Sequence, residues 1–483
     1  MGGKAQTRRK ERRGSRSKGG QAVRLGISGC AGLCLLLEAC APPPPPKPDP
    51  APLARALLAR RLDDPTLLAF IEASSRLLGA EARPPPWRLS SLTLAALYYH
   101  PDLALARSRL AEAKAAVTTA TALPNPNLTF VPPPLVFGAV VSAVLETGGR
   151  RTERRRAAEA REAALRADLA AAAAQVASRV RSAAIAYWYA ERAETLSAAR
   201  ARLTAALSDA MHARLAAGAL SAPDYERSRI EALHAAATAR QASEAALEAK
   251  AALAQAIGIP PSALDVPLAF ETFDAPPPLS PTPALSEALA RRPDIQAAAA
   301  RLEMAEDEID LARTGRIPNL ALEPGYNWYQ GIPAYGVAPS FDLPLLDQHA
   351  GPIAEAEARR DQAAAELFAL AARLAGESES ASARLFGLRA AWEQAREAAA
   401  ESRAHLAALE HAAQLGGVDT PSLLEARLGA LTAEEDVLTQ QKSLLEAMSS
   451  LADTFTLPLF TPGLILPDPE SAPHAALSRA AAP

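Results

Sequence analysis

The chain has 483 residues and a formal net charge of −3, so its charge gives no case for a nucleic-acid partner. Apolar residues make up 49% of it but aromatics only 5%, with alanine abundant. Helices of this kind form readily yet bury little area per residue, and must pack closely over long distances. All three cysteines, Cys30, Cys34 and Cys40, precede residue 41, which excludes disulfides and thiolate metal centres from the rest.

The first 24 residues are basic, with Arg8-Arg9-Lys10 and Arg12-Arg13, and an apolar run follows from Leu25 to Leu37. At 13 residues this run is too short for a bilayer, which needs ~20, but suits a signal-peptide core. Leu37-Glu38-Ala39-Cys40 resembles the lipobox of bacterial lipoproteins, in which the cysteine becomes the lipidated N-terminus after cleavage. Residues 1–39 are therefore expected to be a lipoprotein signal peptide. Residues 40–90, opening on prolines 42–46, are expected to be a lipidated, proline-rich linker.

Beyond residue 90 the chain repeats itself. Pro101-Asp102-Leu103 and Pro126-Asn127-Leu128 return as Pro293-Asp294-Ile295 and Pro318-Asn319-Leu320, both shifted by 192 residues. Gly218 to Pro223 with Arg229 returns as Gly416 to Pro421 with Arg427, shifted by 198. The spacing predicts one structural repeat over 91–282, a second over 283–457 and a flexible tail over 458–483.

Thr147 to Ala217 is free of proline for 71 residues, enough for a helix of ~105 Å. His349 to Leu415 reads the same way, with Pro352 tolerated in the first turn. Return helices are predicted from Pro223 to about Gly258 and from Pro421 to about Leu457. Leu424, Leu431, Leu438 and Leu445 make a heptad seam on the second, whereas the first has Arg240 between Leu233 and Leu247. Asn127–Leu145 and Asn319–Leu346 break the helical period and read as strand–turn–strand, the first interrupted by prolines 132–134. Four strands cannot close a barrel, and open edges are not viable in lipid. Membrane-embedded hairpins would thus require several chains to share one barrel, twelve strands from a trimer being the simplest solution.

The helix-to-helix turns are the candidate functional positions. Gly218 can take positive φ, and Ser221 can cap the helix that Pro223 begins. Gly416, Gly417, Val418 and Asp419 repeat this, with Asp419 as the cap. On physics alone such segments could be efficient turns and nothing more.

These residues together resemble the TolC-like outer-membrane efflux proteins over roughly 90–460. The likeness rests on the helix starts His100-Pro-Asp-Leu and Arg292-Pro-Asp-Ile and on the Pro-Asn-Leu strand starts. It rests also on the strand exits Glu146-Thr-Gly-Gly-Arg-Arg151 and Leu343 to Gly351. The resemblance implies a mainly α fold with a small transmembrane β part: a duplicated coiled-coil tunnel, plus four strands per chain in a shared trimeric β-barrel. It implies an outer-membrane exit duct that meets a periplasmic adaptor and, through it, an inner-membrane efflux transporter. No catalytic residue, metal site or cofactor is expected, apart from lipid on Cys40. Arg214, Leu215, Gly218, Leu220 and Ser221 match the family's tip motif, which implies adaptor docking there and at the second tip. Asp224 and Glu425 fall near the positions where the family narrows its pore. The exit motif looks most similar to the heavy-metal-resistance branch. The competing reading is a periplasmic coiled-coil lipoprotein, an adaptor or scaffold with no barrel. No nucleotide-binding loop, hydrolase elbow or zinc motif is present.

Overall fold

The computed structural model describes residues 50–78, 84–131, 136–277, 285–457 and 459–460; the expected signal peptide and Cys40 lie outside them. The chain divides into two compact units, 1–53 and 54–483, and the duplicated architecture lies in the second. Of the first, only residues 50–53, at the start of helix α1 (Pro50–Leu58), are described.

The segment expected to be a linker is instead folded from Pro50 onward. Helix α2 (Pro65–Leu78) is followed by strand β1 (Trp87–Arg88) and helix α3 (Leu89–Tyr99). Leu62, Leu67 and Ile71 are fully buried in one apolar cluster with Leu92, Leu97, Trp188 and Phe273. Leucines spaced for a helix drive this packing, and proline content alone concealed it.

The first repeat continues with α4 (Pro101–Thr121), β2 (Asn127–Val131), β3 (Val136–Leu145), α5 (Arg150–Ala216) and α6 (Ala222–Ile257). A short strap follows, made of a 3-10 turn, β4 (Leu268–Ala269) and α7 (Glu271–Asp274), with β4 pairing in parallel with β1. The second repeat holds α8 (Leu285–Arg291), α9 (Pro293–Thr314), β5 (Leu320–Tyr329), β6 (Ile332–Phe341), α10 (Ala350–Gln414) and α11 (Thr420–Phe455).

Helices α5 and α10 run 67 and 65 residues without a break, each ~100 Å long. The heptad leucines 424, 431, 438 and 445 are all buried, as a seam requires. Their counterparts Leu233 and Leu247 are 63% and 68% exposed, so the first seam does not close within the chain. The expected tail also starts later than 458, since Phe460 is buried against Phe273 at 5.8 Å.

Two arginines close the return helices in equivalent ways. Helix α6 ends at Gly258 (φ +87°), where Arg60 donates to the carbonyls of Tyr99 (2.9 Å) and Gly258 (2.7 Å). Helix α11 ends 198 residues later at Thr456 (φ +53°), where Arg292 donates to the carbonyls of Asp453 (2.8 Å) and Thr454 (3.1 Å). Each guanidinium satisfies carbonyls that a helix C-terminus leaves unpaired. Burial pushes the Asp294 carboxyl up, but the hydrogen bond and charge of Arg292 together with backbone N–H groups outweigh this and hold it below the usual range.

Where helices meet sheet, the two repeats clasp each other. The Thr147 hydroxyl donates to the Pro318 carbonyl, and its N–H to Asn319 Oδ1 at 3.4 Å. Gly148 (φ +62°) lies where a Cβ would come within 2.8 Å of Ile317, so no side chain fits. Arg154 binds Glu146 and also donates to the Ala120 and Ala122 carbonyls at the end of α4.

Candidate functional site

Two regions carry the chemistry: the sheet at one end of the long helices and the turns at the other. Strands β2, β3, β5 and β6 form one antiparallel sheet in that order, which leaves β2 and β6 with unpaired outer edges. Strand β2 is short, five residues against ten in each of the others. The residues between it and β3, including the three prolines, lie outside the described structure.

The register sorts the strand residues into two faces, because partners across an antiparallel ladder share a side. Phe137 opposes Trp328, Ala139 opposes Tyr326, and Tyr326 opposes Tyr335 at 5.1 Å between rings. On that same face Leu145 opposes Leu320, Leu320 opposes Phe341, and Phe130 opposes Ala139. The other face carries Thr129, Ser142, Glu323, Asn327 and Ser340. Tyr side chains apart, one face is thus apolar throughout and the other holds every polar strand residue, Asn127 opposite Ser142 included. A sheet with hydrocarbon on one side and water on the other requires this alternation. Among the described residues no helix is long and apolar enough to cross a membrane.

The two tips follow one plan. At the first, Gly218 takes φ +69°, and the Ala219 N–H returns to the Arg214 carbonyl at 2.8 Å. At the second, Gly416 takes φ +79°, and the Gly417 N–H returns to the Ala412 carbonyl at 2.9 Å. Both are left-handed helix terminations that only glycine makes without strain. Ser221 accepts from the Asp224 N–H at 3.4 Å, and Asp419 from the Ser422 N–H at 3.3 Å, so both caps form where expected.

The tips are also joined to each other. Arg214 donates to the Asp419 carboxylate across 205 residues of sequence. Hydrogen bonding from Ser422, reinforced by the Arg214 guanidinium, holds the Asp419 carboxyl below its usual range. Sequence reading placed both residues at tips but not against one another. A signal existed: with the 198-residue shift, Arg214 aligns with Ala412, so this cation has no repeat counterpart. Behind the tips, His212 packs on Tyr225 at 5.1 Å between rings, whereas Arg427 binds Glu410 at 2.8 Å.

The pore candidates differ from each other. Asp224 is engaged by its own helix start, accepting from the Ser221 hydroxyl and from Arg227 at 3.3 Å. Glu425 is exposed and has no ion-pair partner among the described residues. Nothing bonds the two acids together. Leu215, Leu220 and Val418 are partly exposed around the glycine turns, while Leu415 is exposed. Among the described residues no group of histidine, cysteine or carboxylate side chains is arranged to hold a metal.

Residues 284–454, most of the second repeat, match the family described as outer membrane efflux protein. No curated protein matches the chain significantly. Solved structures share its fold. A membrane protein from Pseudomonas aeruginosa is 22% identical with a TM-score of 0.64, covering 76% of this chain and 93% of its own. The open-state MtrE outer membrane channel of Neisseria gonorrhoeae is 21% identical with a TM-score of 0.64, covering 78% and 91%. The CmeC outer membrane channel of Campylobacter jejuni is 16% identical with a TM-score of 0.63, covering 81% and 89%.

Proposed function

We propose, from the premise that this chain is an outer membrane efflux protein with the TolC-like fold, that it is the exit duct of a tripartite efflux system. The observation that carries this reading is the four-stranded sheet with one wholly apolar face and two open edges. In a monomer the apolar face is intolerable in water and the open edges are intolerable in lipid. Both are resolved if copies join edge to edge with the apolar face outward, and three copies give twelve strands. The exposed leucines 233 and 247 on α6 then find partners on a neighbouring copy. The long helices extend the barrel into the periplasm as a tunnel of ~100 Å.

In this arrangement the tips are the surface farthest from the membrane. Arg214, Leu215, Gly218, Leu220 and Ser221 of the first tip, with Gly416, Gly417, Val418 and Asp419 of the second, meet the periplasmic adaptor. An inner-membrane transporter delivers the cargo and supplies the energy. Glu425, exposed beside the second tip, is the better of the two pore-lining acids, because Asp224 already serves its own helix.

The decisive experiment is fractionation of the full-length protein, followed by semi-native electrophoresis and planar-bilayer recording. A heat-modifiable oligomer from the outer membrane that conducts ions is expected. A monomer released by carbonate, with no conductance, would instead establish the periplasmic scaffold.

Lipidation at Cys40 adds a second anchor to the barrel. Replacing it (Cys40→Ala) should abolish incorporation of labelled palmitate while the oligomer remains in the outer membrane, since twelve strands hold it there without the acyl chain. Undiminished palmitate labelling of that variant would overturn the assignment.

A further inference from the structure

Within the four strands of the sheet, a single residue is charged. Glu323 lies on β5, three residues from its start at Leu320, hence ~10 Å into the sheet from the helical end. The register places it opposite Ala338 of β6, on the face that also carries Ser142, Asn327 and Ser340. Its carboxylate accepts a long hydrogen bond, 3.5 Å, from the Ser142 hydroxyl of β3. No basic side chain pairs with it among the described residues. Its strand neighbours Leu322 and Pro324 point to the opposite, apolar face. A lone carboxylate on a membrane strand is held at high cost unless it faces water.

We infer that Glu323 sets the charge preference of the barrel lumen: repeated around the assembly, it forms a belt of carboxylates that favours cations over anions. The inference rests on the shared-barrel reading above and adds a determinant distinct from the tips, at the far end of the helices. A ring of fixed carboxylates raises the local cation concentration and opposes anions. A barrel of twelve strands is wider than the eight-stranded ones that side chains fill, and with water in that lumen the ring acts through solution rather than by direct coordination. Its reach is the Debye length, ~10 Å at 0.1 M salt and ~30 Å at 0.01 M. The preference should therefore be weak in concentrated salt and strong in dilute salt. The cargo best suited to this exit is cationic or neutral.

The test is the reversal potential of the purified full-length protein in planar bilayers of uncharged phosphatidylcholine, under potassium chloride gradients centred near 0.1 M and near 0.01 M. The wild type should prefer potassium to chloride, more strongly in the dilute gradient. Glu323→Gln should lower the permeability ratio by about threefold or more in dilute salt, and Glu323→Lys should turn it toward chloride. Glu323→Asp keeps the charge and should keep the preference, which separates charge from strand packing. Heat-modifiable oligomers on the gel confirm that each variant has assembled. Conducting Gln and Lys variants with the wild-type ratio would overturn this inference and leave the duct intact. Absence of conductance from the wild type would instead overturn the duct and, with it, the belt.

Discussion

Reversing the charge at the first tip (Arg214→Glu) should abolish efflux, measured as resistance of cells carrying the complete system, while the oligomer persists on gels. The structure separates these two outcomes. Arg214 and Asp419 form the ion pair between tips, but their side chains are 43% and 44% exposed. A pair this open to solvent contributes little to folding, so its loss cannot dismantle the helices behind it. Those helices are held by Leu424, Leu431 and Leu438 and by the Arg427–Glu410 bond. What the reversal does change is the surface, where two carboxylates would face each other and a cation offered to the adaptor would vanish. The swapped double variant, Arg214→Glu with Asp419→Arg, identifies which matters. It restores the pair but transfers the cation to the other tip, and a docking role predicts that efflux stays lost. Recovery of efflux in the swap would show that Arg214 serves only to tie the tips together.

Removing the indole at the centre of the core (Trp188→Ala) should be the most damaging single truncation, costing about 3–5 kcal/mol. Trp188 is 1% exposed, packs edge-on against Phe273 at 6.1 Å and donates from Nε1 to Asp274 at 3.0 Å. Arg192 lies over its ring at 4.7 Å. Through these contacts one side chain fastens the α7 strap to the long helix α5. Trp392 provides the comparison: it is also buried, and its Nε1 finds no acceptor among the described residues. Trp188→Phe sacrifices a hydrogen bond to a carboxylate, a loss of roughly 1.5–3 kcal/mol. Trp392→Phe removes a donor that is already unsatisfied and should cost less. The half-time of heat dissociation of the assembled protein checks the ranking; equal losses for the two Phe variants would refute it.

Much of the molecule was legible from local rules. The absence of proline over 71 residues announced α5, and the glycines at 218 and 416 announced the turns, because both concern the conformation of a few adjacent residues. The leucine heptad announced its own burial, since a period of seven leaves those side chains on one seam. The caps at Ser221 and Asp419 followed from their spacing to the next helix. Where the local character misleads, it is in the expected linker. The prolines at 42–46 mark residues 40–90 as linker, yet Leu62, Leu67 and Ile71 within that span are buried in the core. Asp224, a pore candidate by resemblance alone, has local partners that its spacing allows: its carboxylate is bound to Ser221 and Arg227 of its own helix start.

Sequence by itself determined the duplication, the long helices, the four strands and the position of the tips, all of which depend on periodicity and on residue types a few places apart. Tertiary structure alone decided which arginine meets which carbonyl or carboxylate: Arg60 at Gly258, Arg292 at Asp453, Arg214 at Asp419. It also decided that Glu323 shares a face with Ser142, through a register set between strands 181 residues apart. The physical reason is common to all of these. A helix or a turn is selected by neighbours along the chain, whereas a charge finds its partner only after the chain has closed distances that no local period encodes.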